Sequence, residues 1–337
     1  MKKRIITITT IIAILALSLF LLLHFGEKIL SKNKPVNANI LIIEGWLPID
    51  ELEMLPSRVN FSEYQTILIT GLSYIKYEPA LHNSLFEKSR DIEIASGGAC
   101  LKENAISRIH KDDTIKSIKI YSHGTEALGK FPHFLIYIND SVVGAGYTTS
   151  EDNTPEVFKI NYPSKNLRKL LIYFDNDVEN FGADRNLYVD SININKQSFA
   201  GSNYFARMDD FEANNYIDVK SESQRTANFL KYLGLKQNVT ILDTNYLGRN
   251  RTRSFAVKCY KWIDNTYKGK PYSINIVSLN LHSKRTYYTY KSVVKGKEIG
   301  IFSLPYSDRL DLVKGSRLKG NIYILKEYIS IILNFLY

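Results

Sequence analysis

The chain has 337 residues, of which 45% are hydrophobic, with a formal net charge of +10 and only two cysteines, Cys100 and Cys259. This length suits about two domains with packed cores. Two distant cysteines exclude a disulfide framework; they read as free buried thiols, with a single bridge in an oxidising compartment as the alternative. The positive charge is spread along the chain, with no basic helix or aromatic RNA-binding signature, so nucleic acid is not an expected partner. Anionic wall polymer or lipid head groups suit it better.

In chain order, Met1-Lys2-Lys3-Arg4 is a basic start, and no charged residue follows from Ile5 to Leu23. An apolar run of about 20 residues can span a bilayer. Residues 1–30 are therefore expected to form an N-terminal transmembrane anchor. The cationic flank stays in the cytoplasm and the main domains are extracytoplasmic at the cytoplasmic membrane. A cleaved signal peptide is the alternative, with Pro35-Val36-Asn37-Ala38 as a loose cleavage-site match. Next, NILIIEG (Asn39–Gly45) and TILITG (Thr66–Gly71) each read as a buried parallel strand stopped by glycine, with a helix start at Pro48–Leu55 between them.

That rhythm then stops. From about Asp91 to Phe199 the runs are short and strand-like: Ile118–Tyr121, Phe134–Ile138, Val142–Gly144, Val157–Ile160, Lys169–Phe174 and Leu187–Ile194. Asn139-Asp140 is a hairpin signal between two of them. An all-β sandwich is the expectation for residues 90–200, with its ends close together. The βα rhythm returns with helices at Ser221–Leu235, Arg249–Asp264 and His282–Val294. Strands at Val239–Leu242, Tyr272–Leu279 and Glu298–Leu304 alternate with them, and a last helix runs from about Gly320 to Phe335. Residues 38–89 and 201–337 thus predict one discontinuous, Rossmann-like doubly wound α/β domain.

Ligands of open parallel sheets bind outside the carboxyl ends of the strands. That rule nominates Glu44, Gly45, Trp46, Thr70 and Gly71 after the first two strands. It also nominates Arg249, Arg251, Thr252, Asn280, His282 and Arg285 at two helix starts. Arginine at such a place suits an anionic small molecule. Each residue also has a plain reading as a cap or a surface side chain, and no phosphate-cradling glycine motif is present.

The order NILIIEGWLP, TILITG, SESQRTANFLKYLG, NRTRSFAV, NIVSLNLHSKRTYYTY resembles the YdcF/SanA/ElyC-like envelope family over about 38–85 and 203–335. The resemblance implies a Rossmann-like domain, often membrane-tethered, linked to cell-envelope biogenesis and barrier function. Arg249, Arg251 and Thr252 match its Arg/Thr-bearing helix start, and His282 and Arg285 its His-x-x-Arg element. The turn Glu44-Gly45-Trp46-Leu47-Pro48 departs from the family's glycine-rich turn.

The stretch FDNDVENFGADRNLYVD (residues 174–190) gathers Asp175, Asp177, Glu179, Asp184 and Asp190 in a basic chain. On spacing alone, a solvated loop of about nine residues, a hard-cation site and a catalytic acid pair all stay open. The string FDND…DRNLYVD, with SHGTEALGKFPHFLIYINDSVVGAGY upstream, resembles calcium-dependent, xylan-binding-type carbohydrate-binding modules over about 115–197. That resemblance implies a jelly-roll-like β-sandwich holding Ca²⁺ and a polysaccharide or other envelope glycan. Asp177 and Asp184 match as acidic ligands, with Asp175 and Asn186 as weaker ones, and Arg185 and Asp190 as braces. Tyr147, Phe181 and Phe131 are candidates for stacking on a sugar. Two rival expectations stand beside this one. In the first, the protein is an enzyme acting on a glycan or a phosphorylated lipid-linked precursor, with His282 as acid/base and Arg251 as anion clamp. In the second, calcium is purely structural.

Overall fold

The computed structural model describes residues 24–73, 92–95, 98–101, 103–109, 114–127, 129–149, 154–163, 167–176, 178–180, 183–200, 205–206, 219–245, 251–305 and 324–332. The apolar run Ile5–Leu23, Asp177, Phe181 and Arg249 lie outside these residues. Among the described residues no helix is long and apolar enough to cross a membrane.

The chain enters through a short helix α1 (Gly26–Leu30) and then forms β1 (Ile40–Glu44), α2 (Ile49–Glu53), α3 (Leu55–Arg58) and β2 (Thr66–Leu72). The sandwich follows. It contains β3 (Ile92–Ala95), β4 (Gly98–Leu101), α4 (Glu103–Ile106), β5 (Ile118–Gly124), β6 (His133–Ile138), β7 (Ser141–Tyr147), β8 (Glu156–Ile160) and β9 (Leu170–Phe174). It continues with β10 (Val178–Asn180), β11 (Ala183–Arg185), β12 (Leu187–Ile194), β13 (Gln197–Ala200) and β14 (Phe205–Ala206). The chain then returns to α5 (Glu222–Tyr232), β15 (Val239–Thr244), α6 (Arg251–Thr266), β16 (Ile274–Leu279), α7 (Asn280–Val293) and β17 (Ile299–Leu304). A helix over residues 324–332, here α8, ends the described chain.

The α/β sheet has the order β15-β2-β1-β16-β17, all parallel. β1 and β16 are buried at every position, as expected for strands covered by helices on both faces. Counted within this domain the order is 3-2-1-4-5, so the winding direction reverses between β1 and β16. The sandwich lies within the crossover from β2 to α5. Its departure and return points are joined by an isolated bridge between Ser73 and Ser221.

Two antiparallel sheets form the sandwich, β13-β12-β5-β8 with β14 beside β12, and β3-β4-β9-β6-β7. β5 alternates buried and half-buried residues, because its outer face is open. β6 and β9 are buried throughout, because both of their faces are covered. Ile136, Ile138, Leu170, Ile172 and Phe174 face the other sheet. Leu135, Tyr137, Leu171 and Tyr173 join Leu47, Leu52, Ala227 and Phe229 of the α/β domain in a second core. The insert is therefore docked face-on against α2, α3 and α5. Asn139, at φ +49°, makes the tight β6–β7 turn that Asn139-Asp140 signals. Cys100, in the sandwich, and Cys259, in α6, are buried thiols outside any disulfide.

Candidate functional site

The acidic stretch begins where β9 ends. Its centre, expected as a loop, is instead a two-stranded hairpin with Val178 opposite Arg185, Glu179 opposite Asp184 and Asn180 opposite Ala183. Polar residues of low strand propensity hide such a hairpin from sequence reading.

Arg185 anchors this hairpin to the sandwich. It is 1% exposed, and its guanidinium donates to three backbone carbonyls: Lys130 at 3.0 Å, Ala127 at 2.6 Å, and Asn176. The Asn176 side chain continues the brace, accepting from the His133 N–H at 2.8 Å and donating to the Phe131 carbonyl at 3.1 Å. Thr125 ties down the other end. Its hydroxyl donates to the Asp184 carbonyl and accepts from the Asn186 N–H. Asp190 braces as expected, pairing with His123 at 2.9 Å while the His123 ring stacks on Tyr188.

This scaffold leaves Asp184 exposed, with Asn186 Nδ2 donating to its Oδ2 at 2.9 Å. The donors gathered here are carboxylate, amide and carbonyl oxygens, the type a hard cation such as Ca²⁺ takes, with no thiol among them. Among the described residues no group of three His, Cys, Asp or Glu side chains could by itself hold a metal. Asp177, the other main expected ligand, lies outside them.

Asp175 faces the opposite way. Its side chain is fully buried, with both oxygens 2.7–2.8 Å from His133 Nδ1, where the sandwich meets α2. His133 Nε2 lies 3.6 Å from Glu53, and its ring is 4.3 Å from that of Tyr147. Asp50 completes this seam, accepting from Lys130 at 2.7 Å and from the Tyr147 hydroxyl at 3.0 Å. Burial alone would lower the His133 pKa, but the Asp175 carboxylate outweighs it and, with Glu53 and Asp50, raises the value to about 10. Burial opposes charge on Asp50 as well, and the Lys130 ammonium overcomes it to hold that pKa down. Tyr147, expected to stack on sugar, thus serves the seam between the domains. Phe131 is half-buried beside the Arg185 brace.

With the hairpin and its braces in view, comparison with known families locates this region. Residues 117–206 match CBM60, the Ca-dependent, xylan-binding carbohydrate-binding modules. The matched stretch runs from the edge of β5 to β14 and contains the whole acidic hairpin. Among solved structures, vCBM60 in complex with galactobiose is 17% identical, with a TM-score of 0.20, over 25% of this chain and 66% of that one. The selenomethionine form of vCBM60 is 19% identical, with a TM-score of 0.20, over 25% of this chain and 61% of that one. A Glycosylation Associate Protein complex from Streptococcus agalactiae is 11% identical, with a TM-score of 0.17, over 77% of this chain and 87% of that one. The chain thus spans just under two thirds of the CBM60 structures it resembles. Comparison with curated proteins gives no match.

A second polar cluster stands at the carboxyl end of the parallel sheet. Glu44, the last residue of β1, is fully buried. Its oxygens accept from the Thr286 hydroxyl at 3.3 and 3.4 Å, and His282 Nε2 lies 4.0 Å away. His282 enters from the first turn of α7, which follows β16 without a loop. Arg285 Nη2 donates to His282 Nδ1 at 2.6 Å, Thr252 Oγ1 is 3.4 Å from Nε2, and the Trp46 ring meets the imidazole edge-to-face at 4.9 Å. Glu327 of α8, which sequence reasoning missed, lies 3.6 Å from His282 Nδ1 and 3.4 Å from Arg285 Nε. Burial works against its ionisation, but His282 and then Arg285 hold its pKa below the usual carboxylate value.

Other nominated residues have different surroundings. Asn280 is buried at the start of α7 and Arg251 is exposed at the start of α6. Gly45 and Gly71 both abut Ser223 at the start of α5, where a Cβ on Gly71 would stand 2.6 Å from the Ser223 nitrogen. Helix-to-sheet packing requires these glycines.

Proposed function

We propose that the sandwich binds a polysaccharide through Ca²⁺ held at the acidic hairpin, and that the α/β domain carries this module at a membrane. The single observation behind the proposal is the family match over residues 117–206, which spans the hairpin and its braces. In this reading Asp177, Asp184 and Asn186 hold the cation. When bound, Ca²⁺ supplies a strong electrostatic site for sugar hydroxyls, which otherwise compete poorly with water. Arg185, Asn176 and Thr125 orient the Asp184–Asn186 segment before ligand arrives. Such preorganisation reduces the ordering cost of binding.

Two surfaces support the membrane reading. Phe25, just before α1, and Ile29 on it, immediately after the apolar run Ile5–Leu23, are 43% and 42% exposed. Leu325, Ile329 and Ile332, spaced to share one face of α8, are 41%, 50% and 57% exposed. The two helices meet where Gly26 packs under Ile324. An apolar surface joined to a membrane-length apolar run suits a bilayer interface. A role in envelope biogenesis rests on the resemblance of residues 38–85 and 203–335 to the YdcF/SanA/ElyC-like family.

Glycan-array binding of the detergent-solubilised full chain, with Ca²⁺ and with chelator, tests the proposal. Binding that needs Ca²⁺ and is lost in Asp177→Ala and Asp184→Ala is expected. Binding indifferent to chelator and to both substitutions contradicts it. If Ca²⁺ raises the melting temperature while no glycan binds, calcium is structural and the carbohydrate reading fails.

A further inference from the structure

The cluster under α8 is independent of the sandwich, and its geometry points to a ligand. The sheet reverses its winding between β1 and β16, and open α/β sheets bind ligands at such a switch point. Glu44 ends one of these strands, and His282 begins the helix that leaves the other. Arg285 Nη2 donates to His282 Nδ1, and the other ring nitrogen, Nε2, faces Thr252 and Glu44.

Onto the opposite side of this pair α8 delivers a carboxylate. Glu327 is 7% exposed, yet its Oε2 and Arg285 Nε make no hydrogen bond among the described residues, although they stand 3.4 Å apart. Buried polar atoms left in this state are uncommon in folded proteins. The Glu327 carboxylate pairs with Arg285 Nε only at 3.4 Å and with His282 Nδ1 at 3.6 Å, beyond the ~2.7–2.9 Å of a charge-assisted hydrogen bond. A tetrahedral oxyanion carries more acceptors and is free to settle against the Arg285 guanidinium.

The helix that supplies Glu327 packs through Ile324, Tyr328 and Ile331 against Leu30 and Leu281, and its other face is the exposed Leu325, Ile329 and Ile332.

We propose that Arg285, positioned by His282, forms a binding site for a phosphoryl group, and that Glu327 of α8 occupies it in the ligand-free protein. The ligand is a phosphate ester or a phosphate-bearing lipid head group. Glu327 is then an internal competitor, and apparent affinity is reduced by the fraction of molecules in which it is seated.

The test titrates the detergent-solubilised full chain by calorimetry with two probes, inorganic phosphate and dodecyl phosphate in mixed micelles. Glu327→Ala should bind at least one probe about tenfold more tightly than the unmodified chain. Glu327→Gln, which keeps the side chain's shape and removes its charge, should do the same if the alanine variant unfolds α8. Adding Arg285→Ala to either variant should abolish the gain. A gain for both probes or for dodecyl phosphate alone identifies a head-group source, and a gain for inorganic phosphate alone identifies a soluble one. Equal affinity in the unmodified chain and in folded Glu327→Gln overturns the proposal, as does a gain that survives Arg285→Ala. Calcium-dependent glycan binding by the Glu327 variants should be unchanged, which separates this site from the sandwich.

Discussion

At the residue scale, His133 shows how a buried charge marks the seam between the two domains. Its imidazole is fully buried and is surrounded by Asp175, Asp50 and Glu53, with Lys130 balancing Asp50. Its folded pKa of about 10 lies above the ordinary 6.5, because burial, which would lower it, is outweighed by Asp175. Burial also disfavours charge on Asp175, but imidazole and carboxylate together retain the shared proton whichever of them carries it. A group raised on folding stabilises the protein fully below its unfolded pKa and loses that effect as pH rises through its folded pKa. Stability measured by chemical denaturation should therefore decline between pH 6.5 and about 10, and His133→Ala should flatten that slope. An equal slope in the variant would assign the decline to other groups.

At the element scale, the contact between α5 and the ends of β1 and β2 depends on Gly45 and Gly71. A Cβ on Gly71 would meet the Ser223 nitrogen at 2.6 Å and the Glu222 Cβ at 2.9 Å, so α5 would have to move. Gly71→Ala should cost about 1–3 kcal/mol, read as a lowered midpoint in thermal denaturation. An unchanged midpoint would mean that α5 is not held this closely. Much at this scale was legible in the sequence. Glycine-stopped apolar runs marked β1 and β2, short strand-like runs marked β5 and β12, and Asn139-Asp140 marked a hairpin. The hairpin of β10 and β11 was not legible, because its strands carry polar residues and no alternation. Arg185 was foreseen as a brace, but its charge concealed how deeply it is buried. Glu327 was missed because α8 reads as an apolar helix, and nothing local shows that its single acid turns inward toward Arg285.

At the scale of the whole molecule, the continuous apolar runs of β6 and β9 acquire their meaning. The sequence marks them only as short strands of a sandwich and does not say that a second face is covered. The structure supplies the α/β domain as that cover. Neighbouring residues on β9 therefore serve different cores, Leu171 the seam and Ile172 the sandwich interior. Leu171→Ala should cost about 2–5 kcal/mol and split a single calorimetric transition into two, whereas Ile172→Ala should lower the stability of the sandwich without undocking it. Identical thermograms for the two variants would contradict a seam at Leu171.

The docking is central to the functional account, because it fixes the acidic hairpin to a domain that a membrane anchor can hold. The most direct test is isothermal titration of the detergent-solubilised full chain with xylan-type oligosaccharides, in Ca²⁺ and again in chelator. The account predicts saturable binding in Ca²⁺, loss of binding in chelator, and loss in Asp184→Ala with its fold intact. Binding of equal strength in chelator, or in folded Asp184→Ala, would contradict it.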